Sequence, residues 1–393
     1  MTNSDVLISG AGVAGPALAF WLRRAGWRVT VVERAPSLRE GGYKVDVRGA
    51  ATTVLKRMGL HEAAKRRDTG MRQVTYVRPD GRKIASLPAD LLMGRRGDDL
   101  EIMRGDLSLI LRDATTDVDY RFGDAIAGLS DGPGGVDVTF TSGRTGRFAF
   151  VVAADGLNSS TRRMVLGETP LSHLGAYISI FSVPNDLGLD REEVMYTEPG
   201  RLIFAYAMGP KEPAKVGMTF AAEPLDYDRR DVAAQKDLVR AAFAGRGWRS
   251  DAFLEALGPA DDFYFDSLSQ VELPRWSSGR VVMLGDTAYC PSPASGQGTS
   301  LALVGAFVLA EELAKAGGDP LAAFAAYERA LRPYVEKNLA FGRKMAKDMV
   351  PGSRLAIAFR NYGMRTLRFH PRKEQVINKV LAPMHAAANA ITI

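Results

Sequence analysis

The sequence predicts an α/β protein in which a Rossmann-type nucleotide-binding domain is interleaved with an antiparallel-sheet domain, with a C-terminal helix added. Three stretches predict it. The chain opens with a strand, a glycine turn and a helix in "DVLISGAGVAGPALAFWLRRAGWRVTVVERAP". A second buried strand runs into Asp155-Gly156 in "FAFVVAADGLNSSTRRMVLG", and a third runs into Gly285-Asp286 in "VVMLGDTAYCPSPASGQGTSLALVGA". Apolar runs that end in glycine and an acid, and then turn helical, are the pattern of parallel strands whose ends meet a nucleotide.

In the opening unit an apolar strand from Asp5 to Ser9 meets Gly10-x-Gly12-x-x-Gly15, a helical pattern runs from Pro16 to Ala25, and "WRVTVVE" ends at Glu33. Gly10 permits the tight turn, Gly12 lets backbone approach a pyrophosphate, and Gly15 lets helix and strand pack closely. The helix N-terminus turns free N–H groups and a partial positive charge toward the phosphates. Glu33 is suited to accept hydrogen bonds from ribose hydroxyls; Ala14 inside the turn and Arg34 after the acid complete this set of candidate cofactor contacts. One such unit does not separate NAD from FAD. Three separate strand-end signals and a single GxGxxG do, because one long dinucleotide, FAD, can use all three.

Between these signals lie β-rich runs with turns, "VTYVRPDGRKIASLP", "EVMYTEPGRLIFAYAMGP" and "KVGMTFAAEP". They predict an antiparallel sheet over the cofactor. Alternation puts Phe204, Tyr206 and Met208 on one face of a strand, and Met218 with Phe220 on one face of another; as a group they suggest an apolar, aromatic-tolerant cavity. The expected cofactor domain is discontinuous, 1–72, 90–170 and 275–350; the substrate domain comprises 73–89 and 171–274. The remaining 351–393 carries Arg354, Arg360, Arg365 and Arg368 at helical intervals among apolar residues.

Composition narrows the function classes. The 393 residues carry a formal net charge of +6 spread along the chain, which suits anionic small molecules better than nucleic acid. The single cysteine, Cys290, excludes an internal disulfide and a cysteine-rich metal site, and His61, His173, His370 and His385 lie too far apart in sequence to suggest a zinc cluster. The start "MTNSDVLISG" lacks a signal-peptide order and no apolar run has the length of a membrane span, so a cytoplasmic protein without stable membrane association is expected, as monomer or weak homodimer.

Gly10-Gly12-Gly15, Asp155-Gly156 and Gly285-Asp286, in that order from Asp5 to about Pro351, resemble the three fingerprints of single-component, class A flavoprotein aromatic hydroxylases, the family of para-hydroxybenzoate hydroxylase and the tetracycline-inactivating monooxygenases. The resemblance implies that Asp286 holds the ribityl and pyrophosphate region of FAD. Pro293 and the turn Gly296-Gln297-Gly298 would lie along the flavin, Pro293 also facing substrate, and Asp155 would contact the cofactor. "EIMRGDLSLIL" resembles the family's I-x-R-x-x-L element and nominates Arg104 beside FAD. "GGYKVDVRGAATTVLKRMGL" resembles the stretch beside the isoalloxazine and the nicotinamide path and nominates Asp46 and Arg48 as candidate catalytic residues, Arg48 meeting the nicotinamide pyrophosphate. In the tetracycline-inactivating relatives a C-terminal helix bridges the two domains, a role the resemblance implies for 351–393. The chain departs from the family at Tyr289, where histidine is common, and at Ser300 and Gly305, where asparagine and aspartate are common.

The implied reaction begins with NADPH or NADH, bound transiently at a shallow site, reducing the flavin. Dioxygen then gives a flavin C4a-hydroperoxide, and its distal oxygen passes to an aromatic or polyketide-like small molecule in a dry pocket. No catalytic base is named by the sequence. Two other readings stand beside it, a flavoprotein reductase or cyclase acting on a prenyl or other lipid, and a non-catalytic flavin- or drug-binding protein. A flavin-dependent halogenase is disfavoured by the absence of W-x-W-x-I-P.

Overall fold

The computed structural model describes residues 4–38, 42–367 and 369–393; Arg368 of the C-terminal arginine series lies outside them. A six-stranded sheet runs in the order Ser277–Ser278, Val281–Met283, Phe150–Ala153, Asp5–Ser9, Arg28–Glu33, Asp119–Phe122, parallel except for the short first strand. Its central strands are continuous apolar runs because both faces are covered. Val6 and Ile8 face helices Ala14–Arg24 and Gly298–Lys315, while Leu7 faces a three-stranded meander, Ile126–Gly132, Gly135–Phe140 and Thr145–Phe148. Helix Gly298–Lys315 is apolar nearly all round because it is wedged between Ala14–Arg24, Ala50–Met58 and Pro320–Met349.

The second sheet has seven strands in the order Tyr264–Gln270, Ser172–Val183, Ala214–Ala221, Arg201–Ala207, Glu192–Glu198, Gln73–Val77, Lys83–Pro88. All neighbours are antiparallel save Glu192–Glu198 with Gln73–Val77. The two upstream strands thus join a sheet whose other members follow much later. One face packs on helices Val232–Phe243 and Ser250–Leu257 through Tyr177, Ile203, Val216, Met218 and Phe220. The other face turns Ile178, Ile180, Phe204 and Tyr206 away from those helices, with Tyr43, Ala294 and Met103 opposite. Phe204 pairs with Gly217, and a Cβ on Gly217 would stand 1.9 Å from the Phe204 ring, so the missing side chain lets that ring lie flat over the neighbouring strand.

Helix Arg354–Leu367 lies along Lys83–Pro88 and Glu192–Glu198 at the sheet edge, and Lys373–Ala388 packs on Pro320–Met349 and Ala89–Met93. Asn338 of the long helix donates to the Ala387 carbonyl at 3.1 Å. Among the described residues no helix is long and apolar enough to cross a membrane.

Candidate functional site

At the first strand end the turn is closed by contact. Gly10 holds φ +112°, and a Cβ there would reach 2.3 Å from the Ala154 carbonyl oxygen; one on Gly15 would reach 2.0 Å from the Gly10 carbonyl oxygen. Gly12 differs: the space in front of its Cα is open apart from the Arg104 Nη2, 3.5 Å from where a Cβ would lie. Glu33 accepts from the Ala11 amide at 2.8 Å and the Ala35 amide at 2.9 Å, which fixes its carboxylate at the turn. Ala14 is buried at the start of the helix, 3.1 Å from where a Cβ on Gly285 would be, so the first and third fingerprints touch. Arg34 is exposed.

The middle fingerprint serves structure. Asp155 accepts from the Ser159 hydroxyl, and from the Thr161 amide at 3.1 Å and hydroxyl at 3.0 Å, while Ser159 caps helix Ser160–Leu166 by accepting from the Arg162 amide at 2.8 Å. The loop that carries Asp155 thus fixes both of its carboxylate oxygens, and its contact with the cofactor stays an expectation of the resemblance. Arg162, fully buried, donates to the carbonyls of Thr287 at 3.0 Å and Leu157 at 2.8 Å, and Gly156 N–H donates to the Thr287 hydroxyl at 2.9 Å. Second and third fingerprints are riveted together by a guanidinium that works as a polar spacer.

Asp286 is solvent-accessible at the opening of a short helix, yet protein closely surrounds its carboxylate. That desolvation raises its pKa above the ordinary carboxylate value, with Arg104 pulling the other way. Gly298 places no side chain in front of it: a Cβ there would be 3.6 Å from Asp286 Oδ1. Pro293 starts a single 3-10 turn, Pro293–Ser295, that presents Gly296 toward Asp46, whose Oδ2 lies 3.4 Å from where a Gly296 Cβ would be. Gln297 is completely buried and, among the described residues, neither its amide oxygen nor its amide nitrogen has a hydrogen-bond partner. Buried amide groups without partners are rare, and a ligand with polar edges is what this turn lacks. The open space at Gly12, the Arg104 head that no carboxylate pairs among the described residues, the accessible Asp286 and the orphaned Gln297 fit FAD.

Asp46 and Arg48 form an ion pair at 2.8 Å. Arg48 is 3 % exposed, donates to the Met93 carbonyl at 2.5 Å, and its backbone N–H donates to the Ser300 hydroxyl at 3.2 Å. The expectation that Arg48 meets an incoming pyrophosphate is corrected: its guanidinium is already neutralised and capped inside the protein. Burial raises the Asp46 pKa, with Arg48 opposing.

On the site-facing side of the large sheet the structure brings together Phe204, Tyr206 and Met208, and adds Tyr76 and Met195, with Leu92 and Met93 opposite. Tyr76, Met195 and Phe204 are successive cross-strand neighbours and form one row. Tyr206 and Met208 help line a cavity of about 330 Å³ with Met103, Leu109, Pro213 and Lys215. A larger solvent-facing hollow, about 660 Å³, lies by the edge strand Asp119–Phe122 and holds none of these groups. Met218 and Phe220 are corrected: they are on the opposite face, in the core under helices Val232–Phe243 and Ser250–Leu257, because Met218 pairs with Ile203 rather than Phe204. The sequence reading also missed a buried charge cluster. Lys44 Nζ lies 2.6 Å from Glu193 and 3.2 Å from Glu101, and stands 4.9 Å from the Tyr206 ring centroid, while the Lys44 amide donates to the Tyr206 hydroxyl at 3.1 Å. Alternation in "VTYV" and "VMY" could have found Tyr76 and Met195; nothing local signals the pairing of Lys44 with Glu193.

The FAD-binding domain family matches residues 3–347. The chain belongs to that family. A flavin-dependent monooxygenase from an unknown prokaryotic organism is 42% identical over 342 residues, 86% of this chain and 89% of its own. Another, from Legionella longbeachae serogroup 1 (strain NSW150), is 35% identical over 393 residues, 100% of this chain and 98% of its own. The crystal structure of tetracycline destructase Tet(55) superposes with a TM-score of 0.87 at 38% identity, covering 100% of this chain and 98% of that one. These relations put the protein in the class A flavoprotein monooxygenase fold and among the flavin-dependent monooxygenases.

Within this FAD-binding family two departures prove to be one. The Tyr289 hydroxyl bonds the Tyr327 hydroxyl at 2.8 Å, and a Cβ on Gly305 would lie 2.0 Å from it. The bare glycine on the helix is the space that the tyrosine occupies.

Proposed function

We propose that the protein is an NAD(P)H-consuming, FAD-dependent monooxygenase that hydroxylates an aromatic or polyketide-like small molecule. The observation that carries the reading is a run of adjacent groups: Gly12 faces Arg104, Arg104 acts on Asp286, and Gly298 of the glycine turn fronts Asp286. Beside these groups, Phe204 and Tyr206 of the large sheet pack toward Tyr43, Ala294 and Met103. Bound there, FAD supplies acceptance of a hydride from a nicotinamide and activation of dioxygen. The chain's own residues do the rest. Gly12 clears the approach of a pyrophosphate, which the helix N-terminus at Ala14 and the Arg104 cation stabilise. Asp286 accepts from polyol hydroxyls. The N-terminus of helix Gly298–Lys315 and the Gln297 amide favour negative charge on the pyrimidine edge. Tyr76, Met195 and Phe204 offer a surface that a flat substrate can cover while excluding water. With the glycine turn committed to FAD, the nicotinamide has only a transient site, open to either NADH or NADPH.

The test is purification followed by flavin quantitation and an NADH and NADPH oxidation screen over phenols, quinolones, tetracyclines and polyketide quinones under air. A yellow protein with near-stoichiometric FAD, slow oxidation alone and acceleration by one aromatic class is the expected result. A protein that stays colourless after reconstitution, or a flavoprotein that no aromatic accelerates, overturns the reading.

A further inference from the structure

Arg104 faces Asp286 on the cofactor side; on the substrate side, Arg360 stands apart from the other arginines. Arg48 pairs with Asp46, Arg95 with Asp90 and Arg72 with Asp190, so their charges are neutralised within the protein. Arg360 has no ion-pair partner among the described residues, although its Nε is buried and lacks a hydrogen-bond acceptor. Its guanidinium carbon stands 5.8 Å from the centroid of Tyr76, the ring that begins the row Tyr76, Met195, Phe204 on the site-facing side of the sheet. The helix that carries it, Arg354–Leu367, is oriented by Ile357, buried one turn earlier on the same side, while Leu355, Phe359 and Tyr362 are left exposed. Arg360 is thus held against the sheet rather than extended into solvent.

A half-desolvated cation without a counter-charge is unfavourable, and removing water from it is repaid only when an anion arrives. A guanidinium with a free Nε–H beside an aromatic ring is matched to a planar acid, since it can stack on the ring and donate two parallel N–H bonds to one oxygen pair. Taking the site to be that of the proposed monooxygenase, we propose that Arg360 is its anion-recognising, specificity-determining residue. Preferred substrates then carry an ionised oxygen acid, a carboxylate, phenolate or enolate, that meets the guanidinium while the aromatic part lies on Tyr76, Met195 and Phe204. Arg360 touches the substrate but not the reacting atoms, so it governs affinity.

The experiment titrates the oxidised, FAD-loaded protein with 1-hydroxy-2-naphthoate and with 1-hydroxy-2-naphthamide, following the flavin absorbance. The two probes share their ring and differ in the charge of one group. The wild type should bind the acid about tenfold or more tightly than the amide, and Arg360→Gln should abolish that preference by weakening the acid alone. Arg360→Lys should restore part of it, and Leu355→Ala, on the exposed side of the same helix, should change neither affinity. Equal affinities in the wild type, a preference that survives in Arg360→Gln, or no binding of either probe overturns the proposal. Because the titration needs neither nicotinamide nor turnover, its failure leaves flavin content and NAD(P)H oxidation intact. Failure of the monooxygenase reading would show first in those two measurements.

Discussion

Asp286 and Gly305 show how single residues bear on cofactor and core. Asp286 is an accessible carboxylate deep in protein, facing Arg104 and fronted by Gly298. Asp286→Ala should weaken FAD binding about ten- to a hundredfold, roughly 1.5–3 kcal/mol for a charge-assisted acceptor, read from the recovery of flavin fluorescence on dilution. Unchanged affinity would remove the residue from the cofactor site. Gly305 is read from sequence as a lost aspartate and Tyr289 as a lost histidine, independently. In the structure they share one volume, so Gly305→Ala should destabilise the fold by about 1–3 kcal/mol through overpacking against the Tyr289 hydroxyl. Adding Tyr289→Phe removes that hydroxyl, and thermal denaturation of the double variant should show a smaller loss than the two single losses summed. Simple additivity would deny the coupling.

At the scale of the strand, alternation decides which residues share a face but not which face meets the cofactor. Phe204 and Tyr206 were grouped correctly, as were Met218 and Phe220, yet register sends the second pair into the helix-covered core. Met218→Ala should therefore cost about 2–5 kcal/mol in urea unfolding while leaving the affinity of the naphthoate probe as it is. Phe204→Ala, in the ligand-facing row and only partly buried, should do the reverse: little change in stability and a weaker probe. If both variants moved the same observable, the assignment of faces would be wrong. Before helix Ser160–Leu166, Asp155 accepts from Ser159 and Thr161, so the aspartate that the motif assigns to the cofactor also fixes the loop entering that helix.

At the scale of the molecule, a two-stranded ribbon and the large sheet are joined by the charge cluster of Lys44, Glu101 and Glu193. Lys44 and Glu101 come from the two-stranded ribbon Lys44–Val47 with Leu100–Met103, and Glu193 comes from the large sheet. Lys44→Met would leave two carboxylates buried without their shared cation, a loss of about 3–5 kcal/mol. Burial alone would raise the Glu101 carboxyl, but Lys44 and Arg95 outweigh it and hold the pKa below the ordinary glutamate value. A depressed folded pKa means the stabilisation is complete above the unfolded value and is lost as pH falls through the lower folded one. Glu101→Gln should accordingly cost most near pH 7, and the gap to wild type should narrow below about pH 4.3, measured by urea unfolding at both pH values. A gap that is constant across that range would show that the charge of Glu101 is not what the cluster uses.

The sequence by itself determined the strand–turn–helix units, the glycines that close Gly10 against Ala154 and keep the space before Gly12 clear, and the family to which such units belong. Those features are local: a few adjacent residues set the backbone conformation and so carry their own signature. Tertiary structure alone decided that Tyr289 fills the place of a side chain at Gly305, that Arg48 is spent on Asp46 and Met93, that Lys44 meets Glu193, and that Arg360 comes to rest beside Tyr76 with no ion-pair partner among the described residues. Each of these joins residues with no shared local pattern. Whether a charge ends up neutralised or left open to a ligand depends on which chain segments pack against it, and that is settled only when the two sheets and the C-terminal helices close on one another.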